Sequence, residues 1–183
     1  MGSGLYGMLI MALVAVFLGG LMIGRTPAYL GKRLMQGEAR LIALYILLTP
    51  ACVLILGAVA LSTGAGLAGL TTNSGAHGLT EVVFAYASSM ASNGQAMAGL
   101  SGNSVFYNVT TSIAMLAGRF GTGALALALA GRLAAQPRLA STPGSLPSDT
   151  LLFAAMVFGT IIVVGSLSFL PALTLGPVVE ALR

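Results

Sequence analysis

Charge is what this sequence has least of. Four acidic residues and eight Lys or Arg are spread over 183 positions, so charged residues make up 7%. An ordinary soluble domain carries roughly 25%. So little charge cannot coat a water-soluble globule of this size. That excludes a cytosolic enzyme domain, a nucleic-acid binder and a disordered tail. The net charge of +4 rests on eight cations, too few and too dispersed to track a phosphate backbone. Tryptophan is absent, so an interfacial aromatic belt must draw on five Tyr and seven Phe. The lone cysteine, Cys52, allows neither an internal disulfide nor a Cys-based metal site. It sits in an apolar run and reads as a small core residue. The lone histidine, His77, has no His, Asp or Cys at ligand spacing, so it reads as a hydrogen-bonded loop residue.

What is present is apolar. Hydrophobic residues are 57% of the chain and mean hydropathy is +0.98. The 25 glycines are about twice the ordinary share, which suits close helix packing in lipid and irregular backbone around a cavity. The chain therefore reads as an all-α polytopic membrane protein. Four stretches, 5–24, 41–63, 107–133 and 150–174, are long enough, or nearly so, to cross the hydrocarbon as helices. The first lacks a basic leader and a cleavage site, so it is not read as a secretory signal.

The connections differ in charge. Segment 25–40 carries Arg25, Lys32, Arg33 and Arg40 against Glu38, and 132–149 carries Arg132 and Arg138. Segment 64–106 has no Lys or Arg, only Glu81 and His77. The positive-inside rule makes the first two cytoplasmic and the third external, with both chain ends outside. Three prolines and several Ser and Thr make 136–149 a loop, with Ser148 or Asp149 expected to cap the last span. Pro50, Pro171 and Pro177 lie in or beside apolar runs, where a kink is expected.

Segment 64–106 is too long for a plain loop. Within it 79–91 (LTEVVFAYASSMA) is apolar but too short to span, which fits a re-entrant half-helix with Thr80 and Glu81 in its first turn. Glu81 reads as an acid holding loop amides, or as a group drawing cations to a vestibule. Ser92-Asn93-Gly94-Gln95-Ala96-Met97-Ala98-Gly99-Leu100 follows, small and glycine-containing, suited to extended or left-handed backbone. Span, half-helix, extended segment, span is the layout of a cation-channel pore loop. The half-helix C-terminus carries partial negative charge, and extended backbone offers carbonyls that replace a potassium ion's water shell. An ordinary external loop with one amphipathic helix is the alternative at this point.

Ordered stretches go further: GLYGMLI…GLMIGRTPAYLGKRL, AGLAGL…HGLTEVVFAYASSMASNGQAMAGLSGNSVFYN, GRFG…LALAGRLA, GSLPSD and FLPALTLGPVVE. Together they resemble the C-terminal third of the potassium-binding A subunits of bacterial potassium-transporting ATPases. The resemblance implies a channel-like fold of four helix–pore-helix–helix repeats, each giving one strand to a single selectivity filter. On it, 1–40 is the second helix of a preceding repeat plus a cytoplasmic or intramembrane segment. Residues 41–135 are the fourth repeat, 136–149 a cytoplasmic loop, and 150–183 the final helix with an external C-terminus. The family's strand runs close to N-N-G-S-A-F-A-G-L. Asn93, Gly94 and Ala98-Gly99-Leu100 match it, while Ser92, Gln95 and Met97 replace Asn, Ser and Phe.

Carried over residue by residue, the resemblance makes Asn93, Gly94 and Gln95 the ion-binding filter, with K+ held by backbone at Gly94. Ser92, Met97 and Gly99 support it. Arg25, Lys32 and Arg119 are gating, pore or coupling residues. For Arg25 and Lys32 the alternative is cytoplasmic anchoring, and for Arg119 it is bonding to carbonyls or a carboxylate elsewhere in a longer chain. The implied function is potassium uptake in a bacterial inner membrane. The ion passes to a P-type ATPase catalytic subunit that works with small accessory membrane subunits, and the chain is an enzyme only as part of that translocase. It shows no Gly-rich phosphate loop with its Lys, so no bound ATP is expected. A non-pumping channel or ion-coupled uptake protein of the same superfamily fits the layout equally. One pore loop cannot close a ring of four. The chain is therefore expected to be a fragment of a longer subunit or an inactive truncated remnant.

Overall fold

A computed structural model describes residues 4–24, 27–73, 76–137 and 149–181. The elements run α1 Gly4–Ile23, β1 Ala28–Tyr29, β2 Lys32–Arg33, α2 Gln36–Ser62, α3 Gly64–Leu67, α4 Ala76–Met90, α5 Val105–Leu116, a π-helical segment Ala117–Gly121, α6 Thr122–Ala135 and α7 Leu151–Ala181. Lipid supplies no hydrogen bonds, so long apolar segments satisfy their backbone by forming helices. Among the described residues, four stretches are long and apolar enough to cross a membrane: Gly4–Met22, Gln36–Ser62, Val105–Ala135 and Leu151–Val178. They coincide with the four expected spans, each a few residues longer at one or both ends or, for the first, shifted by a residue or two. The expected kinks at proline do not interrupt the helices: α2 contains Pro50 and α7 contains Pro171 and Pro177. Ser148 lies outside the described residues. Thr150, rather than Asp149, caps α7: its Oγ1 accepts the Phe153 N–H at 3.3 Å.

The chain divides into two compact units. One comprises the residues up to Ile46 and Gly123–Gly165. Its core gathers Ile10, Leu13, Val16, Ile42, Leu129 and Phe153. Charge alone did not foretell the antiparallel hairpin β1–β2, which pairs Tyr29 with Lys32 across a two-residue turn. Leu30 and Gly31 sit in that turn at φ +49 and +77, the sign a tight hairpin requires. At the start of α2, Glu38 Oε2 accepts the Met35 N–H at 3.0 Å, reaching back as in a capping box. Its other oxygen accepts Arg132 Nε at 2.9 Å.

The second unit comprises Leu47–Thr122 and the chain from Ser166 onward. Val53, Val82, Tyr86, Met90, Leu100 and Tyr107 form its core, with Phe169 packed against it. Two buried tyrosines find polar partners, as buried phenols must. Tyr86 Oη lies 2.8 Å from Thr110 Oγ1, and Tyr107 Oη donates to the Gly66 carbonyl at 2.9 Å.

Candidate functional site

Helix α4 has 15 residues, which at 1.5 Å rise per residue falls short of a bilayer's ~30 Å hydrocarbon core. It begins at Ala76, three residues earlier than the sequence suggested, so Thr80 and Glu81 lie beyond its first turn. His77 is within α4 rather than ahead of it. Almost all of the central face is buried: Val82, Val83, Ala85, Tyr86, Ser88, Ser89 and Met90.

The helix stops by a specific device. Ser92 N–H donates to the Ser89 carbonyl and Asn93 N–H to the Ser88 carbonyl, each at 2.9 Å, the paired bonds of a Schellman motif. Ser92 supplies the left-handed residue at φ +61. Gly94 follows at φ +69, a conformation in which a Cβ is disfavoured. Gln95 N–H then donates to Ser88 Oγ at 2.8 Å. Ser88 thus fixes the start of the extended segment through two of its atoms.

From Asn93 to Ala98 the chain is exposed. Among the described residues, no protein group donates to the carbonyls of Ser92, Asn93, Gly94, Gln95 or Ala96. Five backbone acceptors in succession are thus open to water or a ligand on one half-exposed to exposed segment. The segment is closed at its far end by a turn in which Leu100 N–H donates to the Met97 carbonyl at 3.0 Å. Beyond the turn, Thr71 binds the Gly99 carbonyl through its N–H and its Oγ1, each at 2.9 Å. Ser101 N–H donates to the Gly69 carbonyl at 2.8 Å, and Leu70 and Leu100 form a bridge. Gly99 has no room for a side chain, because a Cβ would strike Thr72 Oγ1 and Glu81 Oε1.

The filter and support residues named from the sequence, Ser92 to Gln95, Met97 and Gly99, therefore share one segment anchored at both ends. Met97 is partly exposed. Sequence reasoning missed the anchors: Ser88, Gly69 and Thr71. Ser88 stood out only as a polar residue in an apolar helix, and the 69–71 partners leave no local signal.

The cations lie elsewhere. Arg119 is exposed on the π-helical segment, with no ion pair or hydrogen bond among the described residues. Its neighbour Gly118 abuts the Met90 carbonyl at the end of α4 so closely that a Cβ would collide with it. The segment thus packs against the C-terminal end of α4. Lys32 donates to the Gln136 carbonyl just past α6, in the other unit. Arg25 lies outside the described residues.

Comparison with known proteins identifies the family. The profile of the family described as Potassium-transporting ATPase A subunit, KdpA, matches residues 1–182. Proteins named Potassium-transporting ATPase potassium-binding subunit are similar throughout. That of Chromobacterium violaceum is 52% identical over 182 residues, covering 100% of this chain and 30% of the relative. That of Burkholderia mallei is 50% identical over 181 residues, covering 99% and 30%. That of Kineococcus radiotolerans is 52% identical over 181 residues, covering 99% and 32%. The chain spans about 30% of the length of the relatives it matches, and with the profile match over 1–182 it belongs to the KdpA family.

Proposed function

We propose that this chain is part of a potassium-binding, channel-like subunit of an ATP-driven uptake pump, and that Ser92–Ala96 is one quarter of its selectivity filter. The observation that carries the reading is the run of open carbonyls from Ser92 to Ala96, directly after the negative end of a half-length helix. Such carbonyls replace the hydration shell of K+. The relatives are named as potassium-binding subunits, which supports K+ as the ion. On this reading α4 is a re-entrant pore helix, and 41–135 is one helix–pore-helix–filter–helix repeat of four. Residues 1–40 end the preceding repeat, 136–149 form a cytoplasmic loop and 150–183 the final helix.

Asn93, Gly94 and Gln95 present the ion-binding backbone, and Ser92, Met97 and Gly99 hold it in shape. Arg119, on the segment packed under the end of α4, sets a positive barrier beyond the filter. Arg25 and Lys32 act in gating or coupling. Hydrolysis belongs to a P-type ATPase partner with its small accessory subunits, and this chain binds no ATP. The protein sits in a bacterial inner membrane with both ends of this segment external.

The test is Gly94→Ala in the complete subunit assembled with its ATPase. A Cβ at a left-handed position costs about 1 kcal/mol or more and re-aims the adjoining carbonyls. The expected result is a raised K+ requirement for ATP hydrolysis and transport. An unchanged K+ dependence would falsify the filter assignment. We read the segment as the C-terminal third of the subunit, a reading that rests on the ordered stretches alone. Sequencing the coding DNA on both sides tests this: three further pore loops are expected upstream, and finding them downstream overturns the placement.

A further inference from the structure

Glu81 is 3% exposed, among the most deeply buried charged side chains in the chain. Its Oε1 accepts the Asn73 side-chain amide at 2.7 Å. Its Oε2 is buried with no hydrogen-bond partner among the described residues. A buried carboxylate with an open oxygen is costly. The Asn73 bond does not require it, because a glutamine carbonyl would accept the same N–H. What a glutamate offers here beyond that glutamine is a carboxylate.

Its location says what the charge does. The carboxylate lies against the Gly99 backbone, in the space a Cβ would fill. Gly99 is the residue whose carbonyl Thr71 holds twice, and it lies in the anchor just past the segment of open carbonyls. We infer that Glu81 is a positioning residue for the ion-binding strand. Its carboxylate, braced by Asn73, fixes the Gly99 end and adds buried negative charge behind the carbonyls that meet the cation. This rests on the filter reading above and goes beyond it by assigning a charged group that touches no ion. Neighbours that orient liganding groups typically change metal affinity by 10–100-fold when removed.

The experiment is Glu81→Gln in the complete subunit assembled with its ATPase, with K+- and Rb+-stimulated hydrolysis measured beside wild type and Gly94→Ala. The expected result is a KM for K+ raised about tenfold, an altered K+ to Rb+ ratio and unchanged maximal turnover. A purely structural role through Asn73 predicts no change in KM or ion ratio, and that result overturns the inference. If Gly94→Ala shifts KM and Glu81→Gln does not, only this inference fails. If neither shifts it, the filter reading fails first. Should Glu81→Gln not assemble, Asn73→Ala keeps the charge and removes its brace. A raised KM is then expected, and an unchanged one overturns the proposal.

Discussion

Ser92 sits at φ +61, where an L-residue other than Asn or Gly is uncommon. Its place is the residue after the helix in a Schellman motif, normally glycine and sometimes asparagine. Serine tolerates left-handed backbone less well than either of these. Ser92→Gly or Ser92→Asn should raise stability by up to about 1 kcal/mol, read as a higher midpoint for thermal loss of the assembled complex in detergent. Ser92→Val should lower it. Equal midpoints for all three would remove the strain argument. The sequence marked Ser92 as a departure without supplying a reason, because a dihedral angle is not written in composition. Gly94 was legible, since glycine in a short apolar-flanked loop signals special backbone. Thr71 was not, because its bonds to Gly99 join residues 28 apart and no local pattern records them.

At the scale of elements, the start of α2 and the end of α6 meet through one ion pair whose members are unequally placed. Arg132 is 55% exposed and Glu38 3% by side chain. Removing the arginine leaves the buried carboxylate with the Met35 N–H alone, a cost of about 1–3 kcal/mol at this half-exposed pair. Replacing the acid by Gln leaves a half-exposed arginine that water can solvate, and keeps an oxygen for the Met35 N–H. Arg132→Ala should therefore destabilise the complex more than Glu38→Gln, measured as the difference in thermal midpoints. The reverse order would mean that the cation is the costlier group to leave alone. Gly118→Ala tests a second contact. Its Cβ meets the Met90 backbone carbonyl, a rigid neighbour, so α4 or the π-helical segment must shift. Reduced recovery of assembled complex is expected, whereas normal recovery and K+ dependence would show that the contact yields freely. The four long helices were legible because lipid demands uninterrupted apolar length. The hairpin β1–β2 was not, since two-residue strands carry too few positions for a periodic signal. The π-helical segment was equally hidden: one extra residue in a turn leaves the apolar pattern of Val105–Ala135 intact.

Across the whole molecule, the helices are sheathed in exposed apolar side chains. Leu47, Ile55, Leu116, Leu127, Phe158 and Leu167 are all exposed, a surface that lipid or further protein must cover. Charge then sets the orientation. Lys32, Arg33 and Arg40 cluster around the hairpin and the start of α2, while 64–106 has no Lys or Arg. The positive-inside rule makes a cytoplasmic hairpin and an external open-carbonyl segment the expectation to test. On the proposed function the ion would then reach the segment from the external face. Arg33 and Asn103 are both exposed, so each can carry a single reporter thiol in a background where Cys52 is replaced by serine. Asn103→Cys should react with a membrane-impermeant maleimide in intact spheroplasts. Arg33→Cys should react only after permeabilisation. The opposite pattern would invert the orientation and turn the strand toward the cytoplasm, where its open carbonyls would meet an ion leaving the cell rather than entering it.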